Sequence, residues 1–306
     1  MNWTGVMPAI TTCFDRNYQV DHKFMAEHCR WLVERGCTGI VPVGSLGEGS
    51  ALEFSEKVAI LDTCVGALRG KVPVVAALSS LRTGEAVEIA KAAADKGCSG
   101  VMILPPYVYR GDWREMKAHV AAVLRATKLS AMLYNNPVAY GTDFLPEQIA
   151  ELACEFPTLH AVKESSTDVR RVTAIRALLG ERLAIFIGVD DAIVEGIAMG
   201  AAGWIAGLAN ALPEESVDLF QFAVDGEMEK AMELYKWFLP LLRMDTVPKF
   251  VQLIKLVQEE AGMGNSRVRP PRLVLDGAEL SEAKAVVRRA LEARPRSREV
   301  QKAVRS

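Results

Sequence analysis

The 306-residue sequence is poor in the features that mark several protein classes. It has six cysteines and four histidines, and none of them stands at C-x-x-C or another metal-ligand spacing. The cysteines therefore fit reduced core thiols better than a disulfide scaffold, and neither a metal site nor a metal cofactor is predicted. The formal net charge is −2, so the chain has no surplus of cations for binding phosphates, and nucleic acid is not an expected partner.

Long apolar runs are also missing. No run approaches the roughly 20 residues that a membrane-spanning helix needs. The N-terminal residues lack a charged segment followed by an apolar one, the pattern of a secretory signal. We therefore expect a cytoplasmic protein without a membrane partner. Half of the residues are apolar, which is enough to form a large core.

A weak repeat is present instead. Each copy begins with a glycine after an amphipathic segment and continues into an apolar run, at residues 36–40, 97–101 and 200–204. Glycine in that place is typical of the left-handed residue just beyond a helix C-terminus. Each copy therefore predicts the end of a helix and the start of a buried strand.

Eight apolar runs have the length of a strand. They lie at residues 5–10, 39–43, 72–78, 100–104, 130–134, 160–163, 183–187 and 204–206. Continuous apolar runs separated by helical patterns indicate parallel strands covered by helices. Eight of them favour an α/β fold of the (β/α)8 TIM-barrel type, with a doubly wound open sheet as the alternative.

The strand pattern stops near Pro213. Helical patterns follow at residues 214–224, 228–242, 248–261 and 281–293. We therefore predict a barrel with the active site over residues 1–212, a C-terminal helical annex over residues 213–293 and a frayed tail over residues 294–306.

Lys163 ends the sixth apolar run, at the strand end that forms the active face of a parallel barrel. A lysine stem packed against apolar neighbours loses hydration of its ammonium, which favours a free amine that can attack a carbonyl carbon. The position therefore indicates Schiff-base chemistry. The alternative is a lysine whose stem lies along the surface with its charge in water.

Two other candidate groups follow the second and the fifth predicted strands. The glycine-rich loop at residues 44–50 can present backbone N–H groups and the Ser45 hydroxyl to a carboxylate, or it is a tight connection without a ligand. Tyr134 ends the fifth run, and its phenol can relay a proton to a carbinolamine on Lys163. The alternative is a tyrosine packed in the barrel mouth with its hydroxyl on a backbone group.

Asp190 and Asp191 follow the seventh run. We expect both to cap the helix that begins at Ala192, because aspartate accepts hydrogen bonds from the N–H groups of a first helical turn. Their predicted role is structural.

Together these motifs resemble the class I aldolase family that contains dihydrodipicolinate synthase and N-acetylneuraminate lyase, over about residues 5–290. The family's GxxGE loop corresponds to residues 44–48, its tyrosine motif to residues 134–137 and its Schiff-base lysine to Lys163. The resemblance implies a barrel with C-terminal helices, a homotetramer built as a dimer of dimers, no separate cofactor, and pyruvate or another 2-keto acid held as an imine.

Three positions depart from the pattern of dihydrodipicolinate synthase. By the resemblance, Leu46 stands where a threonine relays protons, and Ala139 stands where an arginine binds the carboxylate of aspartate semialdehyde. Val108 stands where a tyrosine enters from the neighbouring subunit, and Tyr109 substitutes only if the loop shifts. We infer that the imine-forming apparatus is retained and that the pocket for aspartate semialdehyde is not.

The same apolar side chains argue against a polyhydroxylated sugar substrate. An unpaired hydroxyl buried against Leu46 and Ala139 would cost about 1–3 kcal/mol. A shorter or less polar 2-keto acid is therefore favoured.

The sequence thus predicts a lyase that acts on a 2-keto acid by aldol cleavage or condensation, dehydration or deamination. Lys163 and Tyr134 are the predicted catalytic residues. The predicted substrate-binding residues are Gly44, Ser45, Leu46, Ala139, Gly188 and Ile205. One alternative is a 4-hydroxy-tetrahydrodipicolinate synthase with a rearranged proton relay. Another is a non-catalytic barrel that binds a keto acid, because a fold does not establish a function.

Overall fold

The computed structural model describes residues 1–107 and 109–295. Within these residues, seven parallel strands form one sheet in the order β1-β7-β6-β5-β4-β3-β2. The strands are β1 (Gly5–Pro8), β2 (Val75–Ala77), β3 (Gly100–Ile103), β4 (Ser130–Asn135), β5 (Leu159–Glu164), β6 (Ala184–Ile187) and β7 (Gly203–Ala206). Nearly all of their residues are buried, as expected for parallel strands covered by helices.

Residues 39–43 close the sheet into a barrel. They form two parallel bridges. Val41 pairs with Ala9, which follows β1, and Ile40 pairs with Val74, which precedes β2. A full strand was predicted here, but Pro42 and Pro73 have no N–H group to donate, which limits the hydrogen-bonded ladder to single bridges. The predicted TIM-barrel architecture is confirmed, and the alternative of a doubly wound open sheet is wrong.

Helices alternate with the strands and then continue beyond the last one. They are α1 (His22–Glu34), α2 (Phe54–Leu68), α3 (Thr83–Asp95), α4 (Trp113–Ala126), α5 (Pro137–Tyr140), α6 (Pro146–Glu155), α7 (Arg170–Leu179), α8 (Ile193–Ala198), α9 (Pro213–Val224), α10 (Met228–Leu242), α11 (Phe250–Glu260) and α12 (Gly277–Glu292). The repeat glycines Gly36, Gly97 and Gly200 follow α1, α3 and α8 with φ of 92°, 81° and 96°. The predicted left-handed helix ends are confirmed.

Helices α9–α12 follow the last strand, where the sequence predicts helices. The division into a barrel and an annex at residue 212 stays a prediction. Residues 296–306, which make up most of the predicted frayed tail, lie outside the described residues. All six cysteines are free, and five of them are buried while Cys154 is exposed. No helix in the described ranges is long and apolar enough to cross a membrane.

Asp190 anchors the end of β7. Its carboxylate accepts hydrogen bonds from Trp204 Nε1 at 2.9 Å, Gly207 N at 3.0 Å and Leu208 N at 2.7 Å. Burial raises its pKa to about 6, although these hydrogen bonds and the Lys163 charge act in the opposite direction.

The prediction that this aspartate and its neighbour cap the next helix is wrong. Helix α8 begins at Ile193, and no side chain caps its N-terminus. The Asp190 side chain instead turns inward to the N–H groups beyond β7. Asp191 pairs with Arg243 at 3.7 Å, so it contacts the chain segment that follows α10.

A buried ion pair joins the glycine-rich loop to α11. Lys255 Nζ donates to Glu48 Oε1 at 2.8 Å and to the Thr12 carbonyl at 2.8 Å. Glu48 Oε2 accepts from the backbone N–H of Arg269 at 2.8 Å. The two charged side chains are 0% and 1% exposed, so each depends on the other for compensation. The loop at residues 44–50 is therefore held against the C-terminal helices.

We predict that Lys255→Met strongly destabilises the protein, because it leaves the buried Glu48 carboxylate without its cation. Breaking a buried pair in this way costs about 3–5 kcal/mol. Lys249→Met is the matched control, since Lys249 pairs with Glu279 on the surface, where a pair contributes about 0–1 kcal/mol. Urea unfolding measures both free energies. Equal losses in the two variants would contradict this assignment.

Candidate active site

A cavity of about 520 Å³ opens at the C-terminal ends of the strands. All of the sequence-predicted site residues line it, namely Gly44, Ser45, Leu46, Tyr134, Ala139, Lys163, Gly188 and Ile205. Residues that follow α10 and α11 complete its mouth, among them Asp245, Val247 and Arg272. The structure therefore brings the predicted residues together in one site.

Lys163 lies near the C-terminal end of β5 and is 6% exposed. It is in register with Tyr134 on β4, and its Nζ lies 4.1 Å from the centre of the Tyr134 ring. Gly188 leaves room for it, because a Cβ at that position would overlap with Lys163 Cε and Ser165 Oγ. The amine is thus held in the cavity beside an aromatic face.

Tyr134 is 5% exposed, and its hydroxyl oxygen accepts a hydrogen bond from Asn136 Nδ2 at 3.0 Å. This bond occupies one acceptor position of the phenol and leaves its proton available to another group. The expected alternative, in which the Tyr134 hydroxyl is tied to a backbone group, is not what this arrangement shows.

The loop at residues 44–50 has backbone donors at the cavity. Within the described residues, the N–H groups of Ser45 and Leu46 make no hydrogen bond to the protein. Glu48 has left-handed backbone angles of φ 56° and ψ 31°, and its ion pair with Lys255 fixes the turn. Adjacent unpaired N–H groups of this kind suit an anion such as a carboxylate.

Sequence reasoning missed Ser165. Its side chain is 1% exposed, it lines the cavity, and its Oγ has no hydrogen-bond partner within the described residues. A buried hydroxyl without a partner is costly unless a ligand or water pairs with it. The sequence does contain a signal for this residue. Ser165 follows Lys163 by two residues, and side chains two residues apart in a strand point to the same face.

Asp245 was also missed. It lies in a short turn after α10 and lines the cavity. Burial raises its pKa well above the ordinary value, the nearby Asp190 adds to this effect, and the Lys163 charge opposes it. No sequence pattern indicated this residue, because its position depends on how the C-terminal helices return over the barrel.

The loop after β3 was expected to bring a tyrosine toward a neighbouring subunit. Val108 lies outside the described residues. Tyr109 is 58% exposed and does not line the cavity of its own chain, and the Glu115 carboxylate raises the pKa of its hydroxyl. Among the described residues, no group of three or more His, Cys, Asp or Glu side chains is arranged to hold a metal ion.

Comparison with known proteins places this site in a family. The model of the dihydrodipicolinate synthetase family matches residues 2–290. The 4-hydroxy-tetrahydrodipicolinate synthase of Methanocaldococcus jannaschii is 31% identical over 239 residues, which cover 78% of this chain and 82% of the relative.

Solved structures agree. A dihydrodipicolinate synthase from Bacillus anthracis has a TM-score of 0.91 at 25% identity, covering 97% of this chain and 100% of that chain. A member of the family from Escherichia coli, solved in complex with pyruvate, has the same fold, with a TM-score of 0.89 at 24% identity over 94% of this chain and 99% of its own. The resemblance seen in the sequence is confirmed. The chain belongs to the dihydrodipicolinate synthetase family, whose members are lyases that form a Schiff base with pyruvate.

Proposed function

We propose that this protein is a lyase whose Lys163 forms an imine with pyruvate or another 2-keto acid. The observation that carries the proposal is the placement of a buried lysine amine beside Tyr134 in a cavity of about 520 Å³. The amine attacks the keto carbon to form a carbinolamine, and loss of water then forms the imine. The imine accepts the electrons released when a bond beta to its carbon breaks.

Tyr134 supplies the proton for that loss of water. Its phenol is directed to the cavity side because Asn136 Nδ2 occupies an acceptor position on the oxygen. The phenol protonates the carbinolamine oxygen, which leaves as water. The same group can receive a proton when the imine is hydrolysed after the reaction.

The carboxylate of the keto acid binds the glycine-rich loop. The N–H groups of Ser45 and Leu46 are unpaired within the described residues, and the buried Glu48–Lys255 pair holds the loop in place. Gly44 lets the main chain approach the anion. The unpaired Ser165 hydroxyl provides a further hydrogen bond for a substrate oxygen.

The proposed substrate is a 2-keto acid that is less polar than aspartate semialdehyde. Leu46, Ala139 and Ile205 present apolar surface to the cavity. We therefore propose aldol cleavage or condensation, dehydration or deamination of such a 2-keto acid. The homotetramer expected from the resemblance also stays a proposal.

The rival function is 4-hydroxy-tetrahydrodipicolinate synthase. Relatives with 29–32% identity carry that name. Arg272 lines the cavity mouth and offers a guanidinium that could replace the missing arginine at Ala139. This observation favours the synthase function, which an assay with aspartate semialdehyde tests.

Trapping with borohydride tests the imine. We predict that incubation with pyruvate and borohydride adds one reduced pyruvate to Lys163, detected by intact mass and peptide mapping. Lys163→Arg keeps the positive charge but cannot form an imine, so it is expected to lose both the adduct and turnover.

Lys57→Arg is the matched control, because Lys57 is also buried but pairs with Glu85 outside the cavity. It should retain the adduct. No adduct with pyruvate or with a panel of larger keto acids would instead support a non-catalytic keto-acid-binding barrel.

Tyr134→Phe is expected to reduce kcat by about 10²–10⁴-fold, because proton transfer acts in the transition state. Keto-acid binding should change much less, since the ring remains in place. Steady-state kinetics with the best keto acid and direct binding of pyruvate separate the two effects. A loss confined to binding would contradict the proton-transfer role.

Aspartate semialdehyde distinguishes the two substrate proposals. We predict that the wild type has a lower kcat/KM for condensation of pyruvate with this aldehyde than for its best 2-keto acid. Ala139→Arg should raise the value for the aldehyde about 10-fold, because a hydrogen bond to a charged group contributes about 1.5–3 kcal/mol.

Ala139→Gln is the matched control, since it adds a long polar side chain without charge. Condensation by the wild type that is as efficient as any other reaction in the panel would establish the rival synthase function.

A further inference from the structure

The hydroxyl groups of Tyr134, Tyr140 and Ser45 lie on one side of the cavity, and Tyr140 has no role in the proposed function. The Tyr140 hydroxyl is hydrogen-bonded to Ser45 Oγ. The Tyr140 ring meets the Tyr134 ring edge to face, with 5.7 Å between the centroids and 90° between the planes. Tyr140 therefore contacts Tyr134 through its ring and Ser45 through its hydroxyl.

The local fold holds Tyr140 in this position. It ends the single turn of α5, whose N-terminus is capped by the Asn136 side chain accepting from Ala139 N at 2.9 Å. Gly141 follows with φ of 69°, which ends the turn. The Tyr107 ring packs on Tyr140 with 5.1 Å between the centroids. The Tyr140 hydroxyl is thus placed by two aromatic contacts and a capped turn.

The buried Tyr140 hydroxyl keeps its proton and can donate it. Burial raises its pKa well above the ordinary value, the neighbouring Tyr134 adds to the effect, and the Ser45 hydrogen bond opposes it. Tyr140 consequently stays a neutral phenol near neutral pH. Asn136 already donates to one acceptor position of the Tyr134 oxygen, which leaves the second position for a proton from Tyr140 as Tyr134 gives up its own.

We propose that Tyr140 is the proton-relay partner of Tyr134 and acts through it from within the same chain. The proposal rests on the proposed imine chemistry of Lys163. As the carbinolamine C–O bond breaks, its oxygen takes the bonding electrons and the Tyr134 proton and leaves as water. The nitrogen lone pair forms the C=N bond, Tyr140 reprotonates Tyr134, and Ser45 reprotonates Tyr140. Ser45 is partly exposed, so solvent returns the proton to it.

Exchange of the pyruvate methyl protons in D₂O tests the relay without knowledge of the second substrate. The imine must form and convert to the enamine for deuterium to enter, and NMR measures the rate. Tyr140→Phe keeps the ring contacts and removes only the hydroxyl. We expect its maximal exchange rate to fall about 10²-fold or more, with the half-saturating pyruvate concentration changed less than about threefold.

Tyr18→Phe is the matched control, because Tyr18 is exposed and does not line the cavity. It should exchange at the wild-type rate. Ser45→Ala should also lower the maximal rate, and the double variant with Tyr140→Phe should be no slower than the slower single variant, because the two groups act in series. If Tyr140→Phe does not fold, Ser45→Ala and its effect on the maximal rate decide the question.

These experiments distinguish a failure of the Tyr140 relay from a failure of the imine chemistry of Lys163. A wild type that forms no borohydride adduct and shows no exchange overturns both. A wild type that exchanges while Tyr140→Phe exchanges equally fast overturns the relay alone. A Tyr140→Phe loss confined to pyruvate affinity or to thermal stability also overturns it, because it would assign the tyrosine to packing.

Discussion

The buried ion pair between Glu48 and Lys255 is the interaction on which the geometry of the site depends. It joins a loop at the barrel mouth to a helix that lies more than two hundred residues later in the chain, at 2.8 Å. Both charges are excluded from water, so neither can leave the other without a large cost. The loop therefore keeps its backbone N–H groups in place, and the cavity mouth keeps its shape.

The residues proposed for covalent chemistry and for proton transfer lie on adjacent strands. Lys163 on β5 provides the amine, and the register of β4 and β5 places Tyr134 beside it. The proposed relay continues from Tyr134 through Tyr140 to the loop that carries Ser45. The loop fixed by the ion pair would thus both bind the substrate carboxylate and return protons to the reaction. Gly188 contributes by its missing side chain, because any Cβ there would displace the lysine.

The sequence was sufficient to predict the site residues that lie at strand ends or in local motifs. Lys163, Tyr134 and the loop at residues 44–50 were predicted because parallel strand ends converge in a barrel. Asp245 and Tyr140 could not be predicted in the same way, because their positions depend on tertiary packing. Asp190 was assigned to a helix cap, but its short turn directs the carboxylate inward to the N–H groups after β7.

A crystal structure of the protein soaked with pyruvate would show directly whether Lys163 forms the imine. We predict continuous electron density from Lys163 Nζ to the pyruvate keto carbon, with the carboxylate on the N–H groups of Ser45 and Leu46 and the Tyr134 hydroxyl next to the new bond. Pyruvate bound without a covalent link to Lys163, or bound elsewhere on the protein, would contradict it.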